Sequence, residues 1–547
     1  MRKKTVLVGV ILFVIVALLA PLALVQWQRY RSLIALAGAQ AQAANPIVAE
    51  NQLPGTRDWL PTNPVSYSTT THRMAAIEGY ATKTSVAPGE SIGFAVSTTA
   101  SSYQADIYRL GWYGGTGARL LKTVAHLPGS FYALPTMDTS TGLVEAHWPV
   151  TFSLTIPASW TTGMYLVKLT SSVGKQSYIP FTLRSLQYAD LAFIHASNTE
   201  NAYNSWGGAS LYSDETGTLA VGRAFKVSYD RPLANGSLYL PGSGNLLLWE
   251  YPMIRWLEMH GYNVSYYSDV DLETNPGLAL QHRAVLIVGH SEYWSKGMRD
   301  AITQAISQGI SIGNFGGNDI YRQVRFEPEV SGQHLPDRVV VCYKDWHYDP
   351  LYGKDNALVT VGWRDFPVEQ PEQAFLGSMW ESWFTDKLPG AAWVVADATN
   401  WVMNGTGLRN GDSIPGIVGY EFDAVSSTAP QPPGVDVIAA SPVTDDSGAH
   451  DIANTTVYTA ASGATVFNAG TIWWPWGLDG FNQADHHTRV VSPYIQRITQ
   501  NVLSRFLLSN RLRVPHASTP TVTLTPMSVP KGSASPSDPT MTLVWGY

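Results

Sequence analysis

The stretch "AVLIVGHSEYWSKGMRDAITQAISQGISIGNFGGNDIY", residues 284–321, decides the fold class. An apolar run typical of a buried strand is followed by an amphipathic helical pattern and then by a second short apolar run. A strand, a helix and a strand in this order form a right-handed crossover between parallel strands. The stretch therefore predicts a doubly wound α/β domain, with a mostly parallel sheet that helices cover on both faces.

The same alternation of strand and helix continues on both sides of this stretch. The runs "YADLAFIHAS", "LLLWEYPMIRWLEMHG" and "YNVSYYSDVD" precede it, and "SPYIQRITQNVLSRFLLS" predicts a closing helix. Between about residues 330 and 460 the helical periodicity is poor, whereas Gly, Pro and Trp are frequent. We assign residues 186–512 to the α/β domain and interpret 330–460 as long insertions, which in such folds often build the site.

Residues 75–185 have a different texture. Short runs of alternating apolar and polar residues are broken by Pro-Gly, Gly-Gly and Ser-Ser turn signals. Short strands with regular turns are typical of an immunoglobulin-like β-sandwich. Because no cluster of His or carboxylate residues stands out in this region, we expect a structural or substrate-positioning role for it.

The N-terminal segment, residues 1–35, is directed to a membrane. Arg2, Lys3 and Lys4 precede the uncharged apolar run Val6–Val25, which is long enough to cross a bilayer as a helix. The segment is either an uncleaved membrane anchor or a cleaved signal peptide. Both alternatives place the rest of the chain outside the cytoplasm, membrane-anchored in the first case and secreted in the second.

Two further segments lack the pattern of a folded domain. Residues 36–74 are rich in Ala, Gln, Pro and Asn near their start, which predicts a stalk leading away from the membrane. Residues 513–547 form a Ser/Thr/Pro-rich tail, which we expect to be extended or disordered.

Composition excludes some classes of function. The net charge is −7, only 14% of residues are charged, and no dense basic cluster follows the first four residues, so nucleic acid is excluded as a partner. The single cysteine, Cys342, rules out an intramolecular disulfide and a Cys-based zinc site. Any metal ion must therefore be bound by His, Asp, Glu or Tyr side chains.

Polar side chains follow both strands of the opening stretch. His290 and Glu292 come directly after the first strand, and Asn318 follows the second. Ligands bind at the carboxyl ends of the strands in a doubly wound sheet, so these side chains face one crevice if the two strands are neighbours. The alternative is that His290 caps the strand and Glu292 is a favourable acid in the first turn of the helix. Spacing alone leaves both interpretations open.

Two other patterns could carry chemistry. "GHSEY" half-matches the nucleophile elbow G-x-S-x-G, with Ser291 as the nucleophile of a serine hydrolase, but Tyr293 in place of the last glycine would crowd the turn. "ADHHT" contains the adjacent histidines His486 and His487. Adjacent side chains point apart, so this pair is a poor chelate and predicts a solvated loop.

Several motifs together carry a family resemblance. "AAIEGYATKTSVAPGE", "IYRLGWYGGTGARL", "AYNSWGGASLY", "VGHSEYWS", "GNFGGNDIY", "IVGYEFD" and "WPWGLDGF" resemble proteins that contain the C-terminal domain of the N,N-dimethylformamidase large (beta) subunit. The resemblance covers about residues 75–510. It implies a mononuclear iron(III) site, held by two tyrosines and one glutamate, that hydrolyses a small formamide to an amine and formate. The characterised amidase also has a further N-terminal domain and a small partner subunit, in place of the anchor and sandwich predicted here.

The resemblance implies a metal-binding set in this sequence. Glu292 in the His-x-Glu-Tyr turn would be the metal carboxylate, and Tyr203 in "NTENAYNSWGG" would be the first tyrosinate. The second tyrosinate would be Tyr229 in "KVSYDRP", with Tyr212 in "ASLYSDE" as the alternative. Three anionic oxygens suit a hard Fe(III) ion. The chain has 27 tyrosines, however, and a tyrosine more often packs than ligates.

The resemblance also implies catalytic residues. His290 would orient Glu292 or the substrate, and Asn318 in the Gly-Gly-Asn loop would donate to the substrate or to a bound hydroxide. Glu421 in "GIVGYEFD" would be the general base.

The sequence thus predicts an exported, membrane-anchored amide hydrolase that depends on Fe3+ and acts on a linear C–N amide bond. The expected partners are a small amide substrate and the membrane, and a homo-oligomer is left open. The alternative is a non-catalytic cell-surface module on a decayed hydrolase scaffold, binding glycan or protein through exposed aromatic residues. A serine hydrolase that uses Ser291 is the second alternative.

Overall fold

The structure of the chain is a computed structural model that describes residues 45–185, 187–234, 240–330, 332, 334–384, 390–481 and 491–509. The predicted membrane segment, residues 1–35, and the tail, residues 513–547, lie outside the described residues, as do His486 and His487. A search of the described helices finds none that combines the length and the apolar character needed to cross a membrane.

Strands outnumber helices in the described chain. The strands are β1 (Ile77–Ala81), β2 (Ser85–Val86), β3 (Ser91–Thr98), β4 (Ser102–Leu110), β5 (Ala118–Pro128), β6 (Phe152–Thr155), β7 (Gly163–Ser171), β8 (Gln176–Leu183), β9 (Leu191–His195), β10 (Lys226–Ser228), β11 (Val264–Ser268), β12 (Ala284–Gly289), β13 (Tyr293–Ser295), β14 (Ser311–Gly316), β15 (Arg322–Glu327), β16 (Val339–Val341), β17 (Met379–Trp383), β18 (Ala391–Val394), β19 (Ser413–Val418), β20 (Glu421–Ala424), β21 (Asp436–Thr444), β22 (His450–Thr459) and β23 (Thr465–Asn468). The α-helices are α1 (Pro46–Asn51), α2 (Ser197–Tyr203), α3 (Tyr251–Met259), α4 (Asp269–Thr274), α5 (Lys296–Ser307), α6 (Gln373–Leu376) and α7 (Pro493–Ser509).

The largest sheet has seven strands in the order β11-β9-β12-β14-β23-β22-β21. The first five are parallel, and β22 and β21 extend the sheet in antiparallel fashion. Side chains alternate between its faces: Phe193 and Leu286 pack in one apolar cluster with residues of α3 and α7, whereas Ile194 and Ile287 pack in another with residues of α4 and α5. The chain is therefore a mixed α/β protein, with helices on both faces of this sheet.

The opening stretch forms a strand, a helix and a strand, as predicted, and its two strands lie in the middle of the sheet. β12 and β14 are parallel neighbours, with Gly289 opposite Gly316, and α5 connects them. A Cβ atom on Gly289 would lie 2.6 Å from the Cβ of Trp249, and one on Gly316 would lie 2.4 Å from the carbonyl oxygen of Gly289. Only glycine fits at both positions, so the two strand ends can approach each other closely.

Residues 77–183 form two antiparallel-dominated sheets around one apolar core. A three-stranded sheet has the order β1-β3-β6, and a five-stranded sheet has the order β2-β8-β7-β4-β5. The core between them includes Ile77, Phe94, Ile107, Val167 and Phe181. The alternating pattern of the sequence thus places one side of each strand inside.

The described part of the predicted stalk, residues 45–74, contacts the folded domains through a few buried side chains. Asn45 caps α1 by accepting the N–H of Ile47 at 2.9 Å, and Ile47 is completely buried. The indole of Trp59, which is 1% exposed, donates to the carbonyl of Thr116 at 3.1 Å. The average composition of the segment predicted a stalk. A few apolar side chains, which change that average little, are enough to attach the segment to the core.

The predicted insertions contain short strands. Strand β16 and the pairs β17-β20 and β18-β19 lie within this part of the chain, and β16 joins β10, β15 and β13 in a four-stranded sheet. β13 lies directly after the polar turn that follows β12, and it pairs in parallel with β15. The insertions also contact the loop after β14, because the N–H of Asn318 donates to Asp423 in β20.

A buried ion pair joins the N-terminal sheets to the α/β part. Arg109 in β4 donates to both carboxylate oxygens of Glu258 in α3, at 2.8 and 2.9 Å, and both side chains are completely buried. The hydroxyl of Tyr266 also donates to Glu258, at 2.9 Å. Each charge depends on the other because an unpaired charge in the interior is strongly unfavourable.

We expect Arg109→Met and Glu258→Gln each to lower the free energy of unfolding by about 3–5 kcal/mol, because each leaves a buried partner unpaired. The measurement is urea denaturation of the purified chain. Lys296→Ala is the control: it removes an exposed i,i+4 pair with Asp300 and should cost less than about 0.5 kcal/mol. Equal, small losses in all three variants would contradict the role of the buried pair.

Candidate active site

The candidate site lies at the point where the strand order of the sheet reverses. The chain continues from β9 to β11 on one side of β9, and then crosses to β12 on the other side. Ligands bind at the carboxyl ends of strands at such a point. The polar turn after β12 begins there, and the Gly-Gly-Asn loop after β14 lies beside it. The two polar loops therefore lie side by side at this edge of the sheet.

The carboxylate of Glu292 is the centre of the site. Its side chain is 2% exposed, and it accepts hydrogen bonds from two tyrosine hydroxyls. Tyr203, at the end of α2, donates to Oε2 at 2.9 Å, whereas Tyr212 lies 2.6 Å from Oε2 and 2.8 Å from Oε1. The two tyrosine rings are stacked, with their centroids 4.1 Å apart. Three oxygen-bearing side chains thus converge on one point.

Backbone hydrogen bonds fix the turn that carries Glu292. The N–H of Glu292 donates to the hydroxyl oxygen of Thr199 at 2.9 Å, and its carbonyl accepts the N–H groups of Tyr321 and Arg322 at 3.0 and 2.9 Å. The preceding N–H, that of Ser291, donates to the carboxylate of Asp319. The turn is therefore held from α2 and from the Gly-Gly-Asn loop at once, which fixes the position of the carboxylate.

The structure brings Tyr212, and not Tyr229, to Glu292. The hydroxyl of Tyr229 donates to the side-chain oxygen of Asn198 and lies 3.3 Å from the hydroxyl of Ser197. Tyr229 directly follows β10, and the pairing of that strand with β16 turns the ring towards the first turn of α2. Of the two tyrosines that the sequence offered, Tyr229 as first choice and Tyr212 as the alternative, only Tyr212 contacts Glu292.

His290, Asn318 and Glu421 form one cluster beside Glu292. His290 Nε2 lies 3.4 Å from the side-chain nitrogen of Asn318 and 3.6 Å from Oε2 of Glu292. The same nitrogen of Asn318 donates to the carboxylate of Glu421. Asn318 adopts a left-handed backbone conformation, with φ 52°, and its N–H donates to Asp423 at 2.9 Å. Such strained conformations are frequent at functional sites.

Burial and the charge of Glu292 set the protonation of this cluster. Burial, and next the negative charge of Glu292, raise the pKa of Glu421 to about 8. Burial lowers the pKa of His290, which favours the neutral imidazole. Burial and then Glu292 raise the pKa values of Tyr203 and Tyr212 well above 10. Both hydroxyls therefore stay protonated and donate hydrogen bonds to the carboxylate of Glu292.

Two cationic residues of the site were not predicted. The ammonium of Lys344 lies 3.2 Å from the ring centroid of Tyr212. Burial lowers the pKa of Lys344 to about 7, although the negative charge of Glu292 acts in the opposite direction. Arg322 Nε lies 3.8 Å from Oε1 of Glu292. Arg322 directly follows the Gly-Gly-Asn-Asp-Ile-Tyr loop, and this position is a weak sequence signal that the residue belongs to the site. No sequence motif marks Lys344.

The geometry does not favour Ser291 as a nucleophile. Its side chain is almost completely buried, and its hydroxyl oxygen accepts a hydrogen bond from the indole of Trp294 at 2.9 Å. A nucleophile needs to meet the substrate, so this serine acts in packing the turn.

The residues at Glu292 suit a hard metal ion. Within the described ranges, no three or more His, Cys, Asp and Glu side chains are grouped so that they could hold a metal ion, and the oxygen donors beside Glu292 are tyrosines. Glu292, Tyr203 and Tyr212 supply oxygen donors only, the type that Fe(III) prefers. Beside them, the side-chain oxygen of Asn318 is buried and has no hydrogen-bond partner among the described residues, so a bound water or substrate would satisfy it.

Fold and geometry together define an α/β protein in which two tyrosines contact the buried carboxylate of Glu292 at the carboxyl edge of the sheet. The family model described as "N,N-dimethylformamidase beta subunit-like, C-terminal" matches residues 104–488, which is more than half of the chain. The chain belongs to this family, and the predicted resemblance is confirmed.

Other comparisons add little. No curated protein matches the chain. Among solved structures, it is similar to a cycloisomaltooligosaccharide glucanotransferase of Paenibacillus sp. complexed with cycloisomaltoheptaose, with a TM-score of 0.14 and 14% sequence identity. That likeness covers 25% of this chain and 18% of the other. We draw no conclusion on fold or function from so short a likeness.

In the metal-free chain we expect Glu421 to ionise near pH 8, as measured by carbon NMR of labelled glutamate side chains. Glu292→Gln should lower this pKa, because it removes the nearby negative charge. The exposed Glu369 serves as a control that the substitution should not affect. A Glu421 pKa near the ordinary value of 4.5 in both proteins would contradict the described electrostatics.

Proposed function

We propose that this protein hydrolyses the C–N bond of a small linear amide in a metal-dependent reaction. Membership of the dimethylformamidase-like family supports hydrolase activity on a small amide. The observation that carries the proposal is the convergence of two tyrosine hydroxyls on the buried carboxylate of Glu292. This arrangement would bind a metal ion at the edge of the sheet where ligands are expected.

We propose iron(III) as the metal and Glu292, Tyr203 and Tyr212 as the residues that hold it. Deprotonated, these three side chains would carry three negative charges and would balance the charge of the ion. When bound, such an ion polarises the substrate carbonyl and lowers the pKa of a coordinated water. His290, neutral and beside Glu292, would keep the carboxylate oriented.

Glu421 is the proposed general base and acid. As a carboxylate it takes a proton from the attacking water while the water oxygen forms a bond to the carbonyl carbon. It then returns that proton to the amide nitrogen as the C–N bond breaks, which yields a carboxylic acid and an amine. Asn318, which donates to Glu421, holds this carboxylate in place.

The finer architecture is also part of this proposal. Two antiparallel sheets around a shared core support an immunoglobulin-like domain for the N-terminal region. The strand order and the two apolar faces of the large sheet support a doubly wound domain. The apolar run Val6–Val25 supports export, with the domains anchored at the outer face of a membrane.

Tyr212→Phe and Tyr229→Phe form a matched pair that tests the metal set. After loading with iron, we expect one iron per chain and a visible tyrosinate-to-iron absorption band in the unmodified protein. Tyr212→Phe should weaken the band and iron binding, because it removes an oxygen that contacts Glu292. Tyr229→Phe should leave both unchanged, because its hydroxyl contacts Asn198. The reverse pattern would contradict the assignment of Tyr212.

Hydrolysis of N,N-dimethylformamide, followed by formate release, tests the reaction. We expect Glu421→Gln to lower kcat by about 10²–10⁴-fold with iron content unchanged, because general base catalysis is lost. Glu369→Gln, an exposed substitution outside the site, should retain full activity. A colourless chain that binds no iron and releases no formate would contradict the enzyme and favour the non-catalytic surface module.

A further inference from the structure

A cavity lies between the N-terminal sheets and the large sheet. It has a volume of about 60 Å³, and its lining includes Tyr80 and Phe181 on one side and Asn201 and Arg231 on the other. None of the residues that surround Glu292 lines it. Since a cavity needs about 10–15 Å³ to hold one water molecule, this one has room for a molecule of a few non-hydrogen atoms.

Arg231 brings an uncompensated positive charge to this cavity. The residue is 2% exposed, and its guanidinium donates to the backbone carbonyls of Trp206, Ala209 and Asn204 at 2.8, 3.0 and 2.8 Å, with longer bonds to two others. These carbonyls satisfy its hydrogen bonds but carry no negative charge. No ion pair of Arg231 occurs among the described residues, and burial lowers its pKa to about 9. A buried charge of this kind is unfavourable until an anion approaches it.

The other charged groups in the lining are already paired. Arg338 makes an ion pair with Asp230 at 2.6 Å. The carboxylate of Glu200 lies 3.4 Å from His195 Nε2 and accepts the N–H of Leu246 at 2.7 Å. Burial opposes a positive charge on His195, but Glu250 and Glu200 outweigh it and raise its pKa well above the usual value. His195 thus lies between the carboxylates of Glu250 and Glu200, whereas Arg231 has no carboxylate within ion-pair distance in the described part of the chain.

Asn201 provides a free hydrogen-bond donor in the same lining. The residue is 1% exposed, and neither atom of its side-chain amide has a hydrogen-bond partner in the described part of the chain. A buried amide without partners is rare in folded proteins, which points to a ligand. Lys83 also lines the cavity, and its ammonium, on a side chain that is 47% exposed, lies 3.9 Å from the carboxylate of Glu90.

The rest of the lining is mainly apolar. Ile179 and Phe181 from β8 and the ring of Tyr80 from β1 form this wall, opposite the polar groups of α2. An inorganic anion would leave this wall without a contact. A ligand with one negative end and a short apolar end would satisfy both sides.

We propose that this cavity binds a small monocarboxylate, such as acetate or propionate. Its carboxylate lies near the guanidinium of Arg231 and accepts a hydrogen bond from the side-chain nitrogen of Asn201, while its alkyl end contacts Ile179 and Phe181. The site is distinct from the one at Glu292, and it does not depend on the proposed amide hydrolysis.

Titration of the purified full-length chain with acetate and propionate, by calorimetry at constant ionic strength in chloride, tests this site. We expect one site per chain. Asn201→Leu should weaken binding by about tenfold or more, because it removes the hydrogen bond to the charged end. This substitution breaks no hydrogen bond of the described structure, so the fold should be retained. Lys83→Gln should weaken binding about two- to fivefold, whereas Lys122→Gln, on an exposed lysine outside the cavity, should not.

Two controls decide where the carboxylate binds. Glu292→Ala should leave acetate binding unchanged, and phosphate should not compete with propionate, because it gains nothing from the apolar wall. Absence of binding, or binding that Glu292→Ala abolishes and Asn201→Leu leaves intact, would overturn the proposal. Equal competition by phosphate would also overturn it, since the cavity would then select charge alone. Loss of amide hydrolysis has no bearing on these outcomes.

Discussion

The parallel pairing of β12 with β14 is the constraint on which the site depends. With Gly289 opposite Gly316, the polar turn after β12 and the Gly-Gly-Asn loop after β14 start at the same level of the sheet. The two strand ends lie so close together that neither glycine has room for a Cβ atom. A shift of one residue in this register would move every side chain of the strand to the other face and would separate Glu292 from Asn318.

The charge of Glu292 organises the side chains around it. A buried carboxylate needs compensation, and in this structure two tyrosine hydroxyls, the guanidinium of Arg322 and the ammonium of Lys344 surround it. The same charge raises the pKa of Glu421 and so separates the roles of two neighbouring carboxyl groups. In the proposed reaction, Glu292 would bind the metal and Glu421 would transfer a proton.

The sequence predicted best what depends on local pattern. The periodicity of residues 284–321 predicted the strand–helix–strand unit, whereas the grouping of His290, Glu292 and Asn318 followed only if the two strands were neighbours, which the structure shows. The choice between Tyr212 and Tyr229 could not be made, because it depends on how a loop and a short strand of the insertions fold back over α2. Lys344 was missed for the same reason: it reaches Tyr212 through tertiary packing that no short motif encodes.

The most direct test of the account is the position of the metal in a crystal of the iron-loaded protein. Anomalous diffraction data on either side of the iron absorption edge would locate the ion independently of any assumed ligand. We expect one peak within bonding distance of the oxygens of Glu292, Tyr203 and Tyr212. A peak beside Tyr229, or iron bound only at other residues while amide hydrolysis continues, would contradict the account.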